Sequence, residues 1–283
     1  MAKPIISAFA DEYKAEFDGQ IEGLVSFGIK NIELRFVNGT NVAALSDEEV
    51  AAVKAKLQAA GITVSAIGSP LGKINVSDDI DAEMVKAERV FKIANELGAK
   101  NIRMFSFYLD ENKSFEENKA IVYSALERMI AIAKKYGVTL CHENEAKIYG
   151  DSPERCRELL DHFGGDLKCV FDMGNFVLDG YKPYPDAYLL LRDYIEYFHI
   201  KDALYAGAIV PPGLGEASIA EILKAHSEIA KGDFIITLEP HLQTFTGLNA
   251  LVGKGFDNPY KFESKEAAFT EAVKCIKGIV EKI

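Results

Sequence analysis

Short runs of apolar and β-branched residues alternate along this chain with longer stretches whose apolar positions recur every three or four residues. The short runs are Pro4–Ala10, Ile29–Phe36, Ile62–Gly68, Lys100–Phe107, Val138–Glu143, Leu167–Met173, Ile195–Ile200 and Phe234–Glu239. Their length and composition predict strands. The longer stretches include Asp47–Ala60, Ala82–Leu97, Phe115–Tyr136, Pro153–Phe163, Tyr184–Tyr194, Ser218–Ala230 and Ser264–Lys282. In one of them Val85, Val90, Ile93, Ala94 and Leu97 trace the apolar stripe of an amphipathic helix. Gly28, Gly61, Gly98, Gly137, Gly164 and Gly232 fall where helices stop. Asp151-Ser152-Pro153-Glu154 supplies a capping residue followed by proline at a first helical position.

The alternation makes eight strand–helix units in 283 residues, about 35 residues each. Such alternation implies parallel strands with right-handed crossovers. A doubly wound open sheet normally carries a glycine-rich turn after its first strand. Here Phe9-Ala10-Asp11-Glu12-Tyr13 follows that strand, without a glycine cluster. The expected fold is therefore an α/β (β/α)8 TIM barrel. No linker, long-period repeat or low-complexity segment divides it, so residues 1–283 read as a single domain. The stretch from His241 to Tyr260 lacks periodicity and reads as a lid or a subunit contact.

Composition narrows the function. The chain is 48% hydrophobic and 27% charged, enough for a sizeable core and unlike a disordered protein. Its formal net charge of −11 disfavours nucleic acid and anionic membrane surfaces as partners. Cys141, Cys156, Cys169 and Cys275 form no CxxC pair and read as reduced, buried thiols. The opening MAKPIISAFADEY lacks a signal-peptide core, and no apolar run approaches the length of a membrane span. The expected compartment is the cytoplasm.

In a barrel of this kind the chemistry sits at the C-terminal strand ends. The last four strands end in CHENE, FDMGN, FHIKD and LEPH, and each offers one metal-capable side chain: Glu143, Asp172, His199 and Glu239. Side chains alternate faces with period two. Ile235, Thr237 and Glu239 share one face; so do Ile195, Tyr197 and His199, and Val170 and Asp172. If those faces point inward, the four groups converge over the barrel mouth. Three carboxylates and one imidazole suit one divalent ion, Mn²⁺ or Mg²⁺, and would also take Co²⁺ or Zn²⁺. Without an ion, the carboxylates would repel and raise one another's pKa. His142 has the opposite parity and reads as structural. His162 and His226 fall on helical stretches and read as surface residues. His241 shares parity with Glu239 and would face a substrate.

The strings HENE…GDSPER, FDMGNF, HIKDA and LEPHL, in this order and spacing, resemble the xylose isomerase-like barrel superfamily, and within it the sugar phosphate isomerase/epimerase branch. SAFADE, IELR and IGSPLGK fit its first three strand ends, so the resemblance spans nearly the whole chain. It implies one divalent metal, often Mn²⁺, held by Glu143, Asp172, His199 and Glu239. It also implies a small carbohydrate substrate and a dimer or tetramer. Two positions depart from the ketose 3-epimerase pattern. Asn175 stands where those enzymes have a sugar-contacting histidine, and Glu145 follows Glu143 more closely than their second acidic group does.

The implied chemistry is metal-dependent isomerisation or epimerisation of a sugar or sugar phosphate. A proton beside a carbonyl moves through a metal-stabilised enediolate, with Glu143 and Glu239 as the catalytic acid and base. The alternative is a lyase or dehydratase acting on a keto-inositol or 3-keto-glycoside in the same barrel. A nuclease would need more than the five histidines present and a basic face. A non-catalytic sugar-binding barrel is the remaining rival. Glu33 and Arg35 share a strand face, and Arg103 ends the fourth strand. The arginines read either as ligands for substrate oxygens or as partners of a carboxylate bracing the mouth. Lys73 lies on a plausible site loop. Lys201 and Asp202 would touch substrate or orient His199. Phe9, Phe36, Phe105, Phe107 and Tyr108 could form an apolar wall. Gly213-Leu214-Gly215-Glu216 reads as a phosphate cup or as a plain loop.

Overall fold

A computed structural model describes residues 1–242 and 260–283. Residues 243–259, most of the stretch read as a lid or subunit contact, lie outside the described residues. Eight parallel strands form a nearly closed barrel: β1 (Pro4–Ala8), β2 (Asn31–Leu34), β3 (Thr63–Gly68), β4 (Asn101–Met104), β5 (Thr139–Glu143), β6 (Leu167–Asp172), β7 (Ile195–Ile200) and β8 (Phe234–Leu238). From β2 to β8 each pairs with its neighbour in sequence, and β8 returns to β1 with Pro4 opposite Phe234 and Ala8 opposite Leu238. The ladder lapses only between β1 and β2. There the Asn31 side-chain amide reaches the Ile6 carbonyl at 3.5 Å, and Ser65 of β3 links the two strands, its hydroxyl 2.7 Å from that of Ser7 and donating to the Ile32 carbonyl at 3.1 Å.

Around the barrel run α1 (Phe17–Ser26), α2 (Asp47–Ala60), α3 (Ile80–Leu97), α4 (Phe115–Tyr136), α5 (Pro153–Phe163), α6 (Met173–Leu178), α7 (Tyr188–Leu191), α8 (Ile219–Ile229) and α9 (Lys265–Val280). Their starts follow local chemistry. Ser46 with Glu49, and Ser114 with Glu117, close reciprocal capping boxes on α2 and α4. Ser152 caps α5 ahead of Pro153, as its sequence predicts. Among the described residues no helix is long and apolar enough to cross a membrane.

Two apolar layers follow from the period-two pattern. Outward-facing strand residues pack beneath the helices in the main core. Ala66, Cys141, Val170 and Tyr197, with Ile235 against them, fill the barrel interior as a separate cluster. Val170, Tyr197 and Ile235 are the residues whose parity placed them on the inner face, so the residues above them on the same strands rise into the mouth.

Three expectations need correction. The helix read over Tyr184–Tyr194 is only one α-turn, Tyr188–Leu191, between irregular turns. Pro183 and Pro185 lack the N–H that a helix uses, and Tyr184, just before Pro185, is extended at φ −129°, ψ 135°. Cys141, Cys156 and Cys169 are buried free thiols, but Cys275 on α9 is only half-buried. His226 is not on the surface. It is 7% exposed, with the rings of Phe198 and Phe234 at 4.9 and 4.8 Å and the Tyr188 hydroxyl 3.4 Å from Nδ1.

Burial among these rings holds the His226 imidazole down to about 4. The unfolded chain takes up that proton near pH 6.5, so stability falls as pH drops from about 6.5 towards 4. His142, likewise held to about 4 by burial, adds a second proton over the same window. His226→Gln should reduce the slope of unfolding free energy against pH there by about one proton. Urea unfolding at several pH values between 4 and 7 measures it; an unchanged slope would contradict the buried, neutral imidazole.

Candidate metal centre

The string HENE at the end of β5 sends successive side chains to different tasks. His142 points out of the barrel, where Nε2 meets Ser106 Oγ at 2.9 Å, as its parity predicts. Glu143 points inward. Asn144 clamps β5 to β6: its amide nitrogen donates to the Asp172 carbonyl at 2.9 Å, and its oxygen accepts the Asp172 N–H at 3.0 Å. Glu145 reaches over the mouth to Lys73, with Oε2 2.7 Å from Nζ.

On β6, Asp172 ends the strand and caps α6, accepting the Asn175 N–H at 2.8 Å on Oδ1. Lys201 donates to its other oxygen at 2.9 Å and to the Asn175 side-chain oxygen at 3.0 Å. Gly174 permits this approach, because a Cβ there would come within 2.6 Å of the Lys201 side chain and 2.8 Å of its carbonyl. Glu239 lies one residue past β8, and its N–H still bonds the Ile200 carbonyl at 3.1 Å, which preserves the inward parity.

Glu143, Asp172, His199 and Glu239 each bring a ligand atom into one group, all within 4.8 Å of one another and all buried. His199 Nδ1 lies 3.1 Å from Glu143 Oε1 and 3.1 Å from Glu239 Oε2. Neither Nδ1 nor Glu239 Oε2 has a hydrogen-bond partner. Oε2 has only the Lys201 ammonium near it, at 3.5 Å, and a buried nitrogen and a buried carboxylate oxygen without hydrogen bonds are costly unless something else binds both. The opposite ring nitrogen explains the orientation. His199 Nε2 donates to Glu33 Oε2 at 3.1 Å, and the Tyr197 hydroxyl donates to Glu33 Oε1 at 2.9 Å. With the proton on Nε2, the Nδ1 lone pair faces the two glutamates, the arrangement by which a carboxylate orients a metal-binding imidazole.

The two glutamates are held alike. Glu143 Oε2 accepts from Arg103 at 3.0 Å, and Glu239 Oε1 accepts from Arg35 at 2.9 Å, which leaves the second oxygen of each turned to His199. Arg35 also contacts Asp11 at 2.8 Å and Glu12 at 3.2 Å. Phe9 supports both guanidinium groups, with Arg35 Cζ 4.2 Å and Arg103 Cζ 5.3 Å from its ring centre. Six carboxylates (Asp11, Glu12, Glu33, Glu143, Asp172 and Glu239) thus share three fixed cations (Arg35, Arg103 and Lys201). That excess of negative charge, with two buried atoms that lack hydrogen bonds, fits a bound divalent cation. Burial pushes the Asp172 carboxyl up to about 7, against the pull of Lys201. Arg103 pulls the Glu143 carboxyl down against its burial.

A cavity of about 440 Å³ opens above this group. It brings together seven of the residues read from the sequence: Arg35, Lys73, Arg103, Asn175, Lys201, Glu239 and His241. Gly72, in the left-handed region at φ +77°, lets the loop carrying Lys73 lie against Phe105; a Cβ there would fall 1.9 Å from the Phe105 carbonyl oxygen. Glu33 and Asp202 are corrections. Glu33 is fully buried beneath His199, out of reach of a substrate. Asp202 is 1% exposed and accepts the N–H groups of Ala203, Gly213, Gly215 and Ala217 at 2.7–3.0 Å. The glycine segment read as a phosphate cup or plain loop is thus wrapped on the chain's own carboxylate. Phe36 and Phe105 line the cavity as expected, whereas Phe9 and Phe107 are buried away from it and Tyr108 pairs with Asn75 and Ile148. Sequence reasoning missed Asn41, Ser69, Leu178 and Ile209 on the wall, and Asp11 and Glu12 as partners of Arg35. The acidic pair directly after β1 was the available signal.

A family model described as xylose isomerase-like TIM barrel matches residues 21–277. Among solved structures, D-allulose 3-epimerase from Methylomonas sp. superposes with a TM-score of 0.75 at 17% identity, over 100% of this chain and 99% of that one. The probable 3-DHS dehydratase AsbF from Bacillus anthracis gives 0.72 at 18% identity, over 97% and 98%. A xylose isomerase-like TIM barrel protein from Mycobacterium smegmatis, solved in complex with magnesium, gives 0.71 at 15% identity, over 99% and 96%. At these identities the likeness is one of fold. No curated protein matches the chain.

Because Glu33 fixes which nitrogen of His199 faces the group, Glu33→Gln should weaken divalent-ion binding by about 10–100-fold. Competition with a chelating dye measures this. Unaltered affinity in a folded variant would show that His199 is oriented by packing alone.

Proposed function

The chain belongs to the xylose isomerase-like TIM barrel family, and from that premise we propose that it is a divalent-metal-dependent sugar isomerase or epimerase that moves a proton beside a carbonyl. The observation that carries this reading is the pair of glutamates, each pinned by an arginine through one oxygen and turned to the same imidazole nitrogen with the other. Glu143, Asp172, His199 and Glu239 would hold the ion, and Mn²⁺ is the ion we assign to this mostly oxygen donor set. When bound, a divalent ion there supplies positive charge against the enediolate oxygens as the proton leaves.

The protein's own residues perform the proton transfer. Glu239 lines the cavity, and Lys201 holds its carboxyl below the ordinary range against the opposing effect of burial. It is therefore ionised at neutral pH and able to accept a proton from carbon. Glu143, also held ionised, stands on the other side of His199 at the end of a strand three places away around the barrel. Removal of the proton by one glutamate and its return by the other inverts a carbon centre; return to the neighbouring carbon exchanges aldose and ketose. Asn175 keeps Glu143 in place through its side-chain amide, 3.4 Å from Oε1. Arg35 and Arg103 keep each base from rotating towards its partner.

Glu239→Gln should lower turnover by about 10²–10⁴-fold, the usual worth of a positioned general base, while a ketose still binds. Exchange of C–H for C–D in D₂O, followed by NMR across ketoses and keto-inositols, reads it directly. Metal content measured on the same sample, beside His199→Ala, separates loss of the base from loss of the ion. Undiminished exchange in Glu239→Gln would remove this role, and release of water with formation of an unsaturated product would identify a dehydratase instead.

A further inference from the structure

Among the described residues, each lysine and arginine lining the cavity already faces a carboxylate of the chain. Arg35 faces Asp11, Glu12 and Glu239, Arg103 faces Glu143, and Lys201 faces Asp172. These three lie at the floor. The cation on the outer wall is Lys73. It is 36% exposed and stacks on Phe105 with Nζ 4.4 Å from the ring centre, and its ammonium group meets Glu145 at 2.7 Å. Glu145 itself is 27% exposed and lines the same cavity. The amides of Gly213 and Gly215, in the segment whose sequence allowed a phosphate cup, are filled by Asp202. Among the described residues, carboxylate oxygens of the chain therefore already occupy the lysines and arginines that would receive a substrate phosphate.

Taking the site as one for a carbohydrate, as proposed above, we propose that Glu145 is a specificity-determining residue that occupies Lys73 and restricts the cavity to uncharged ketoses and polyols, against their phosphate esters. A phosphate at Lys73 must displace Glu145 or lie beside it, and either costs the anion its gain. A hydroxyl can lie beside the intact pair, accepting from another ammonium N–H and donating to the carboxylate, and it brings no charge that Glu145 repels. Phe36, Pro70, Phe105, Leu178 and Ile209 give the same wall an apolar portion suited to the C–H surface of a sugar.

The test uses inorganic phosphate as the probe on the full-length, metal-loaded protein, with calorimetry as the readout. Glu145→Gln frees Lys73 and should bind phosphate about tenfold or more tightly than the unaltered chain, the worth of one hydrogen bond to a charged group. Adding Lys73→Met to that variant should return the affinity to the starting value, which separates Lys73 from phosphate held by the metal. A ketohexose and its 6-phosphate, compared on the unaltered chain, should show preference for the neutral sugar. Tight phosphate binding by the unaltered chain, no gain in Glu145→Gln, or a gain that survives Lys73→Met would each overturn the proposal. Proton exchange on the neutral ketose reports separately on the catalytic reading, so failure of one is visible without failure of the other.

Discussion

Carboxylates are costly to bury unless each finds a cation or several hydrogen-bond donors, and the mouth of this barrel buries a ring of them. Much else in the site can be understood as an answer to that constraint. Arg35 and Arg103 enter from β2's end and β4 to meet Glu239 and Glu143, Lys201 reaches back from β7's end to Asp172, and Glu33 is satisfied from Tyr197 and His199. The arginines each engage only one oxygen of their glutamate. The remaining oxygens, with His199 Nδ1, are left directed at a common point. Removing any one cation would therefore do more than delete a contact. It would release a carboxylate to rotate towards the cluster and change the geometry there.

Polarity rises along the barrel axis in a way the strands themselves encode. The deeper interior is apolar, with Ala66, Cys141, Val170, Tyr197 and Ile235 in mutual contact. Tyr197 belongs to both levels, since its ring sits in that cluster while its hydroxyl binds Glu33 above. Two residues further along the same strand stands His199. Period-two alternation thus converts one strand into a ladder from packing, to support, to the imidazole at the mouth. It also explains why Glu33 and Tyr197 hold His199 rigidly, because both lie where the barrel is already closely packed.

Parity along strands was enough to bring Glu143, Asp172, His199 and Glu239 to one place from the sequence alone, because facing is a local property. Depth is not local. Glu33 shares its inward face with the cluster, but the break in register between Ile32 and Glu33 against β3 and the length of β2 set how high it stands. It lies beneath His199 rather than beside a substrate. Asp202 follows a ligand strand as closely as Lys201 does, yet its carboxylate turns to amides eleven to fifteen residues later, a contact only the folded loop creates. His226 was misplaced for a similar reason. Its helix is amphipathic, but the aromatic residues that enclose it come from β7, β8 and the short turn at Tyr188.

The same distinction bears on how specificity could change while the chemistry stays. The four convergent side chains depend on strand ends that every unit of the barrel must supply in register, and their cations and supports are buried with them. Lys73 and Glu145 sit on loops after β3 and β5, half-exposed, with no part in holding the ligand group. Substitution there alters the charge a substrate meets without touching the residues that orient Glu143 or Glu239. Loops at the C-terminal face of such a barrel are free to vary in this way because the strands beneath already fix the reacting groups. In this chain the inner ring of charges is buried and locked by packing, while the outer pair is half-exposed and held by its mutual attraction and the stacking of Lys73 on Phe105, so the outer pair is where the physical cost of a new substrate preference is lowest.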